Sequence, residues 1–325
     1  MTKALITGIA GFAGSHLAEH LLENGWEVAG LERAGASLTS LEKIAGRIAV
    51  EECDIVNTAG VARVFDKLTP DVVFHLAATS FIPSAEDAPQ LAFDINVKGS
   101  LNILEGCHRH IARARIILIS SASVYGAVPP EKMPLTEDHP PSPMDFYALT
   151  KLCAEELSRY YHRVHALPVV ILRPFNHIGP RQSQNFVSSS FAFQIAEIEA
   201  GKRPPILNVG NLDAARDFTD VRDMVRAYRL AAEKCEVGQV YNICSGRALT
   251  IREILHRMLR LTKARIEIGE DAQRLRKSDI PLLYGDCSRF LRETGWRPEH
   301  DIDATLGGIL DYWRGQVKLQ PKAKS

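Results

Sequence analysis

Along the first half of the chain, short runs of β-branched and aliphatic residues alternate with longer stretches whose apolar positions recur every three or four residues. The runs at 3–7, 27–31, 48–51, 71–76, 115–121 and 168–173 predict strands. The stretches at 14–24, 57–67, 91–110 and 145–165 predict helices. Apolar strands separated by amphipathic helices form a parallel sheet covered on both faces, so the expected class is α/β, doubly wound. After Arg173-Pro174 the alternation loosens. Segments 186–200 and 250–262 read as helices, and 206–209 and 239–243 as short strands. The proline-rich stretch Val128 to Pro143 predicts a surface loop.

Composition narrows the class of function. The 325 residues carry 39 basic and 39 acidic side chains, and 46% of residues are hydrophobic. Such a balance argues against a disordered chain and against a polybasic nucleic-acid binder. No apolar run reaches the ~20 residues of a membrane span, and the first strand leads straight into a glycine motif where a leader would lie. We expect a cytoplasmic protein with no membrane or nucleic-acid partner. The six cysteines form no C-x-x-C pair and have no histidine at zinc-ligand spacing. They read as scattered reduced thiols, with no metal site. The last twelve residues, 314–325, hold four basic and no acidic side chains and read as a frayed tail; without them the body carries a formal charge of −4.

The first candidate chemistry is the turn Thr7-Gly8-Ile9-Ala10-Gly11-Phe12-Ala13-Gly14 between a strand and a helix. Glycines allow a tight turn and close approach of the backbone to a pyrophosphate. The helix N-terminus supplies free N–H groups and a positive dipole end. Gly8, Gly11, Phe12, Ala13 and Gly14 are therefore candidate cofactor contacts of a Rossmann domain, although the G-x-x-G-x-x-G spacing is one residue longer than the usual fingerprint. Glu32 follows Gly14 by 18 residues, at the end of the second strand, where a carboxylate binds the adenosine ribose hydroxyls. Its charge repels a 2′-phosphate and favours NAD. Arg33 beside it would attract that phosphate and favour NADP. The reading is NAD(P)H, leaning to NAD(H). Asp54 and Ile55, after the third strand, are placed to meet the adenine.

The second is Tyr147-Ala148-Leu149-Thr150-Lys151, which sets a phenol and an ammonium on one helix face. An ammonium beside a phenol stabilises the phenolate and lowers its pKa toward neutrality. The strand ending in Ser120-Ser121 places Ser121 at the carboxyl edge of a parallel sheet, where ligands bind. Ser121 can bond the carbonyl oxygen that Tyr147 protonates.

Ser121, Tyr147 and Lys151 behind a Rossmann turn resemble the short-chain dehydrogenase/reductase superfamily, in its extended branch acting on nucleotide sugars. The resemblance covers essentially the whole chain. It takes in His75-Leu76-Ala77-Ala78 and Asn96-Val97-Lys98-Gly99, and implies that Leu76, Ala77, Ala78 and Asn96 lie at the cofactor, with Thr79 and Ser123 at the substrate. It also implies a Rossmann domain over residues 1–174, rejoined by segments around 213–243. A smaller, interleaved nucleotide-sugar lobe would span 175–313. The turn Arg173-Pro174-Phe175-Asn176-His177-Ile178-Gly179-Pro180 is similar to the substrate-side turn of these enzymes, and implies substrate contacts at Asn176, Arg181, Phe186 and Val187. Residues 208–218 are similar to the segment whose arginine, here Arg216, pairs with the diphosphate. Leu275 to Pro281 resembles the segment of the GDP-mannose 4,6-dehydratase group that reads the base, with Arg276 and Asp279 toward the guanosine.

One departure separates the possible reactions. The dehydratases carry an acidic residue two places after the catalytic Ser/Thr, and some carry one directly after it. Here those positions are Ser123 and Ala122. The string resembles a reductase or an epimerase, and with the second half it is similar to the reductases that convert GDP-4-keto-6-deoxy-D-mannose to GDP-D-rhamnose. A nucleotide-sugar 4-epimerase would use the same Ser, Tyr and Lys on tightly held NAD. A dehydratase would need an acid from elsewhere, such as Glu86 or Asp87. An NAD(P)-sensing scaffold would have no use for Tyr147 and Lys151, and the chain keeps both. The resemblance implies a homodimer through the 91–110 and 145–165 helices, which are apolar on more than one face.

Overall fold

The computed structural model of the protein describes residues 1–271, 274 and 280–319. The first half runs β1 (Lys3–Thr7), α1 (Phe12–Glu23), β2 (Glu27–Glu32), β3 (Ile48–Glu52), α2 (Thr58–Leu68), β4 (Val72–His75), α3 (Ile82–Asp87), α4 (Pro89–Phe93), α5 (Gly99–His110), β5 (Arg115–Ile119), α6 (Phe146–His165) and β6 (Val169–Pro174). The second half runs β7 (Asn176–Ile178), α7 (Val187–Glu199), β8 (Ile206–Val209), β9 (Ala215–Asp220), α8 (Val221–Lys234), β10 (Val240–Ile243), β11 (Ala248–Thr250), α9 (Ile251–Leu259), β12 (Glu267–Glu270), β13 (Leu282–Leu283), α10 (Ser288–Thr294) and α11 (Ile302–Leu319).

Seven parallel strands form the main sheet in the order β10-β6-β5-β4-β1-β2-β3. The order reverses at β1, where chain crossovers leave on opposite faces and open a crevice at the carboxyl ends. One face packs α1 and α8 over Ile6, Phe74, Ile117 and Leu172. The other packs α2, α5 and α6 over Leu5, Val73, Ile116 and Ile171. Adjacent strand residues thus serve opposite cores, which is why these strands read as continuous apolar runs. Strand β10 comes from the second half yet pairs with β6 in this sheet. Strands β7, β9, β11 and β13 make a small second sheet, and β8 and β12 pair beside it. Helices α7, α9 and α11 bury Ile195, Leu255 and Leu306 in a separate core.

Several elements differ from expectation. The helical run expected over 91–110 begins at Pro89 and contains a π-turn at Asp94–Lys98. The wide turn lets the Asn96 side chain bond outside its own helix, a use typical of π-turns. The strand expected over 115–121 ends at Ile119. Helix α9 stops at Leu259, before the expected 262. The proline-rich stretch is a loop, but Leu135 is buried and its main chain pairs with Gly285. Residues 314–319 of the expected tail are instead the last turns of α11, and 320–325 lie outside the described residues. There Val317 is buried and the Arg314 guanidinium is held by Glu199 and Asp311 at 2.7 and 2.8 Å.

A buried ion pair joins three elements behind the crevice. Arg173 on β6 donates from Nε and Nη2 to Glu155 on α6 at 2.9 and 2.7 Å. The Ser120 hydroxyl, just past β5, donates to the same carboxylate at 2.5 Å. Arg173 is 1% exposed and Glu155 0%, and the guanidinium stacks 4.7 Å from the Tyr125 ring centroid. Removing one partner of such a pair leaves an uncompensated charge in low dielectric. Glu155→Ala is expected to destabilise the fold by about 3–5 kcal/mol, and Glu155→Gln by clearly less. The midpoint of urea unfolding checks both.

Candidate active site

The crevice is a cavity of about 850 Å³ running along the carboxyl ends of the main sheet. At one end the chain turns through Gly8 to Gly14. Gly8 has φ +70°, and a Cβ there would sit 3.0 Å from the Ala77 Cα. A Cβ at Gly14 would strike the Gly8 carbonyl oxygen. Only glycine fits both positions. Gly11 caps α1 without a side-chain hydrogen bond, and no acidic residue lies in the first turn. The N–H groups of that turn therefore lack a side-chain acceptor, which fits an anionic diphosphate.

Glu32 lines the cavity beyond this turn, its carboxylate accepting from the Ala10 N–H at 3.1 Å and the Arg33 N–H at 3.2 Å. Arg33, Asp54 and Ile55 line the same end. Asp54 also closes its own turn by accepting from the Val56 N–H at 2.9 Å. Phe12, Ala13, Leu76, Ala77, Ala78 and Thr79 complete the wall.

Asn96 does not line the cavity, contrary to expectation. Its side-chain oxygen accepts from the Thr79 N–H at 2.8 Å, and its amide nitrogen donates to the Thr79 carbonyl and to the Thr150 hydroxyl at 3.2 and 2.9 Å. It ties the wall after β4 to the helix of Tyr147, so it positions rather than contacts. The wall has a second anchor that the sequence reading missed. Thr7 Oγ1 accepts from the Leu76 and Ala77 N–H groups, each at 3.1 Å, and lies 2.8 Å from His75 Nδ1. His75 Nε2 lies 2.9 Å from the Ser100 hydroxyl, which donates to the Asn96 carbonyl at 2.5 Å. With the Ser100 proton so committed, His75 donates from Nε2 and accepts Thr7 at Nδ1. Burial, aided by the Lys151 charge, lowers its pKa to about 3, so the ring is neutral.

Ser121, Tyr147 and Lys151 converge at the other end. Ser120 and Ser121 point opposite ways out of β5, the first into the Glu155 network and the second into the cavity. Ser121 Oγ accepts from the Ser123 N–H and donates to the Ser123 hydroxyl, each at 3.1 Å, and lies close enough to the Tyr147 phenol to lower its pKa. The two hydroxyls thus meet at one point. Lys151 Nζ donates to the Ile119 carbonyl at 2.7 Å and lies 6.0 Å from the Tyr147 ring centroid. Burial lowers the Lys151 pKa to about 8 against the opposing pull of Glu155. The expected lowering of the Tyr147 pKa is not what this geometry gives. Burial pushes it up to about 12, with only the Ser121 bond acting in the other direction. At neutral pH the phenol therefore holds its proton, as a general acid requires.

The substrate candidates divide. Thr79, Ser123, Asn176 and Phe186 line the cavity beside the hydroxyl pair, with Phe81 packed edge-on to Phe186 at 5.8 Å. Val187 begins α7 just behind them. Arg181, expected at the substrate, is turned away in a left-handed conformation of φ 74°. Its guanidinium grips both Glu19 carboxylate oxygens at 2.9 and 2.6 Å and the Ser40 carbonyl at 3.0 Å, clamping the second half to α1. Arg216 lies half-buried on β9, outside the cavity wall, with Nη1 donating to the Ala215 carbonyl. Arg276 and Asp279 fall outside the described residues. Glu86 is exposed on α3 and accepts from the Phe146 N–H at 2.7 Å, so it caps the catalytic helix. Neither it nor Asp87 lines the cavity.

Comparison with known proteins gives one consistent family. The family described as GDP-mannose 4,6 dehydratase matches residues 5–307. The chain is 34% identical to a GDP-6-deoxy-D-mannose reductase of Pseudomonas aeruginosa, over 98% of this chain and 99% of that one. The solved structure of RMD from the same organism, complexed with NADPH, superposes with a TM-score of 0.86 at 32% identity, covering 97% and 100% of the two chains. A UDP-glucose 4-epimerase of Thermus thermophilus in complex with NAD superposes with a TM-score of 0.86 at 29% identity, covering 97% and 99%.

The buried ammonium has a consequence for stability. The Lys151 pKa falls from 10.5 unfolded to about 8 folded. The folded state therefore binds fewer protons between those values, and stability rises with pH across that window. Below about pH 8 the charged ammonium is a net cost. Lys151→Met is expected to stabilise the cofactor-free protein by about 1–3 kcal/mol at pH 7 and to lose that advantage by about pH 10.5. Thermal unfolding of both proteins across this range checks it.

Proposed function

The chain belongs to the GDP-mannose 4,6-dehydratase family of extended short-chain dehydrogenases/reductases, and within it we propose a reductase of the C4 keto group of GDP-4-keto-6-deoxy-D-mannose, yielding GDP-D-rhamnose. The observation that carries this reading is the make-up of the reacting end. Among the described residues, the carboxylates on the cavity wall are Glu32, at the end of β2, Asp54, after β3, and Asp94, on the π-turn before α5. The hydroxyl pair is flanked by Ala122 and Ser123 instead. Dehydration needs an acid and a base at C5 and C6, whereas ketone reduction needs one proton donor beside a hydride source.

When bound, NAD(P)H supplies the hydride. Tyr147 donates the proton to the developing alkoxide. Ser121 orients the carbonyl and donates to the same oxygen. Lys151 holds the nicotinamide ribose and brings positive charge near the phenol. Glu32 takes the adenosine ribose hydroxyls, and its charge favours NADH over NADPH. The Asn176 turn, with Phe186, receives the sugar nucleotide.

Consumption of NADH or NADPH with freshly made GDP-4-keto-6-deoxy-D-mannose is the direct test. Tyr147→Phe is expected to lower turnover by about 10²–10⁴-fold while still binding cofactor. Turnover of GDP-mannose in place of the ketone would return the dehydratase reading. Interconversion of C4 epimers with no net cofactor consumption would make the protein an epimerase. Unchanged turnover in Tyr147→Phe would overturn the assignment of the acid.

A second copy of the chain completes the proposal. Of the 13 large apolar side chains exposed among the described residues, seven lie on or beside the α4–α5 run and α6: Leu91, Phe93, Leu101, Met144, Leu149, Tyr160 and Val164. Leu149, Tyr160 and Val164 share one exposed helical stripe, as an interface helix would. We expect a homodimer through these helices, with pairing of Leu101→Glu and Leu149→Glu giving a monomer by light scattering. A monomeric parent protein would sink the idea. No helix among the described residues is long and apolar enough to cross a membrane.

A further inference from the structure

Tyr228 is the one cavity-lining phenol that the mechanism above does not use. It lies on α8, whose buried face packs Met224, Val225, Ala227, Tyr228 and Ala231 beneath β1, β5 and β6. Its ring is fully buried, and its hydroxyl has no hydrogen-bond partner among the described residues. Yet the residue lines the cavity. Burial, and secondarily the nearby Tyr147 phenol, hold its pKa above the usual tyrosine range, so the hydroxyl stays protonated and the two phenols lie within electrostatic reach. An orphaned buried hydroxyl costs stability, and phenylalanine would fill the same volume without that cost. The neighbours Ala227 and Ala231 add no polar group that could relieve it.

We propose that Tyr228 is a cofactor-positioning residue whose hydroxyl bonds the carboxamide of the nicotinamide, from the sheet face opposite Tyr147's helix. Helix α8 packs under β5 and β6, whose carboxyl ends lead to Ser121 and to the Asn176 turn, and that placement selects the nicotinamide half as the partner. The bond sets the rotation of the ring before substrate arrives. No proton or electron passes through it.

The proposal rests on the cofactor assignment above, but its test needs no sugar nucleotide. The full-length Tyr228→Phe variant and the parent are titrated with NADH and NADPH by fluorescence, and then with ADP-ribose and its 2′-phosphate, which lack the nicotinamide. The variant is expected to bind the better reduced cofactor about 5–15-fold more weakly, with ADP-ribose affinity unchanged. Its cofactor-free unfolding midpoint is expected to equal or exceed the parent's. Equal affinity for the reduced cofactor in the two proteins would overturn the proposal. So would an equal loss for ADP-ribose, which would assign the hydroxyl to the diphosphate or ribose. A fall of several degrees in the cofactor-free midpoint would also overturn it, because the hydroxyl would then be satisfied inside the protein. Failure of the parent to bind either cofactor would overturn the cofactor reading together with this one.

Discussion

Three elements must meet at fixed angles for this site to exist, and one buried ion pair holds them. Arg173 sits at the end of β6, Glu155 midway along α6, and Ser120 just past β5. The next residues along each element carry the chemistry: Asn176 after β6, Tyr147 and Lys151 earlier on α6, and Ser121 after β5. Apolar side chains of similar volume could hold the same elements together, often with no loss of stability. They would not define rotation. The guanidinium fork donates to one carboxylate orientation, and Ser120 and Arg159 donate to the same two oxygens. Because Glu155 follows Lys151 by one helical turn, the pair also sets which way the catalytic face of α6 points.

Much of this was readable from local pattern. The sheet follows from the alternation of apolar runs with amphipathic helices, and the crevice follows from the parallel order. The glycine turn, Glu32 and the Ser-Tyr-Lys set occupy the positions their spacing implied, because each depends on short-range geometry. The network behind them was less visible. Glu155 lies at i+4 from Lys151, a spacing that could have marked it, but its partner lies 18 residues away on a strand. Nothing near Thr7 in sequence announces that it will bond Leu76 and Ala77, nearly 70 residues on.

The misplacements share a cause. Asn96, Arg181 and Arg216 are polar residues in the right neighbourhood, and sequence alone cannot say which way such side chains turn. Arg181 is turned by a left-handed backbone and captured by Glu19. Asn96 is turned inward by a π-turn. Arg314 reads as part of a tail because 314–325 holds four basic and no acidic residues, although Trp313 packs against the third core and Val317 is buried. For Asn96, Arg181 and Arg314 a partner distant in sequence overrode a local expectation.

The electrostatics of the cavity explain how a chain of zero net charge can hold two polyanionic ligands. Among the described residues, the charged side chains on the wall are acidic Glu32, Asp54 and Asp94, and basic Arg33 and Lys151. These charges nearly cancel, and the Lys151 ammonium is committed to the Ile119 carbonyl. The attraction for a diphosphate must come from main-chain dipoles at the uncapped start of α1, which act only within the first turn and need glycines so that the anion can approach. A short-range device of this kind discriminates by shape. A broad basic field would draw in any polyanion, nucleic acid included. Near charge neutrality among the described wall residues is thus part of the selectivity, and the two positions that follow Ser121, Ala122 and Ser123, offer no carboxylate to compete with Tyr147 for the proton.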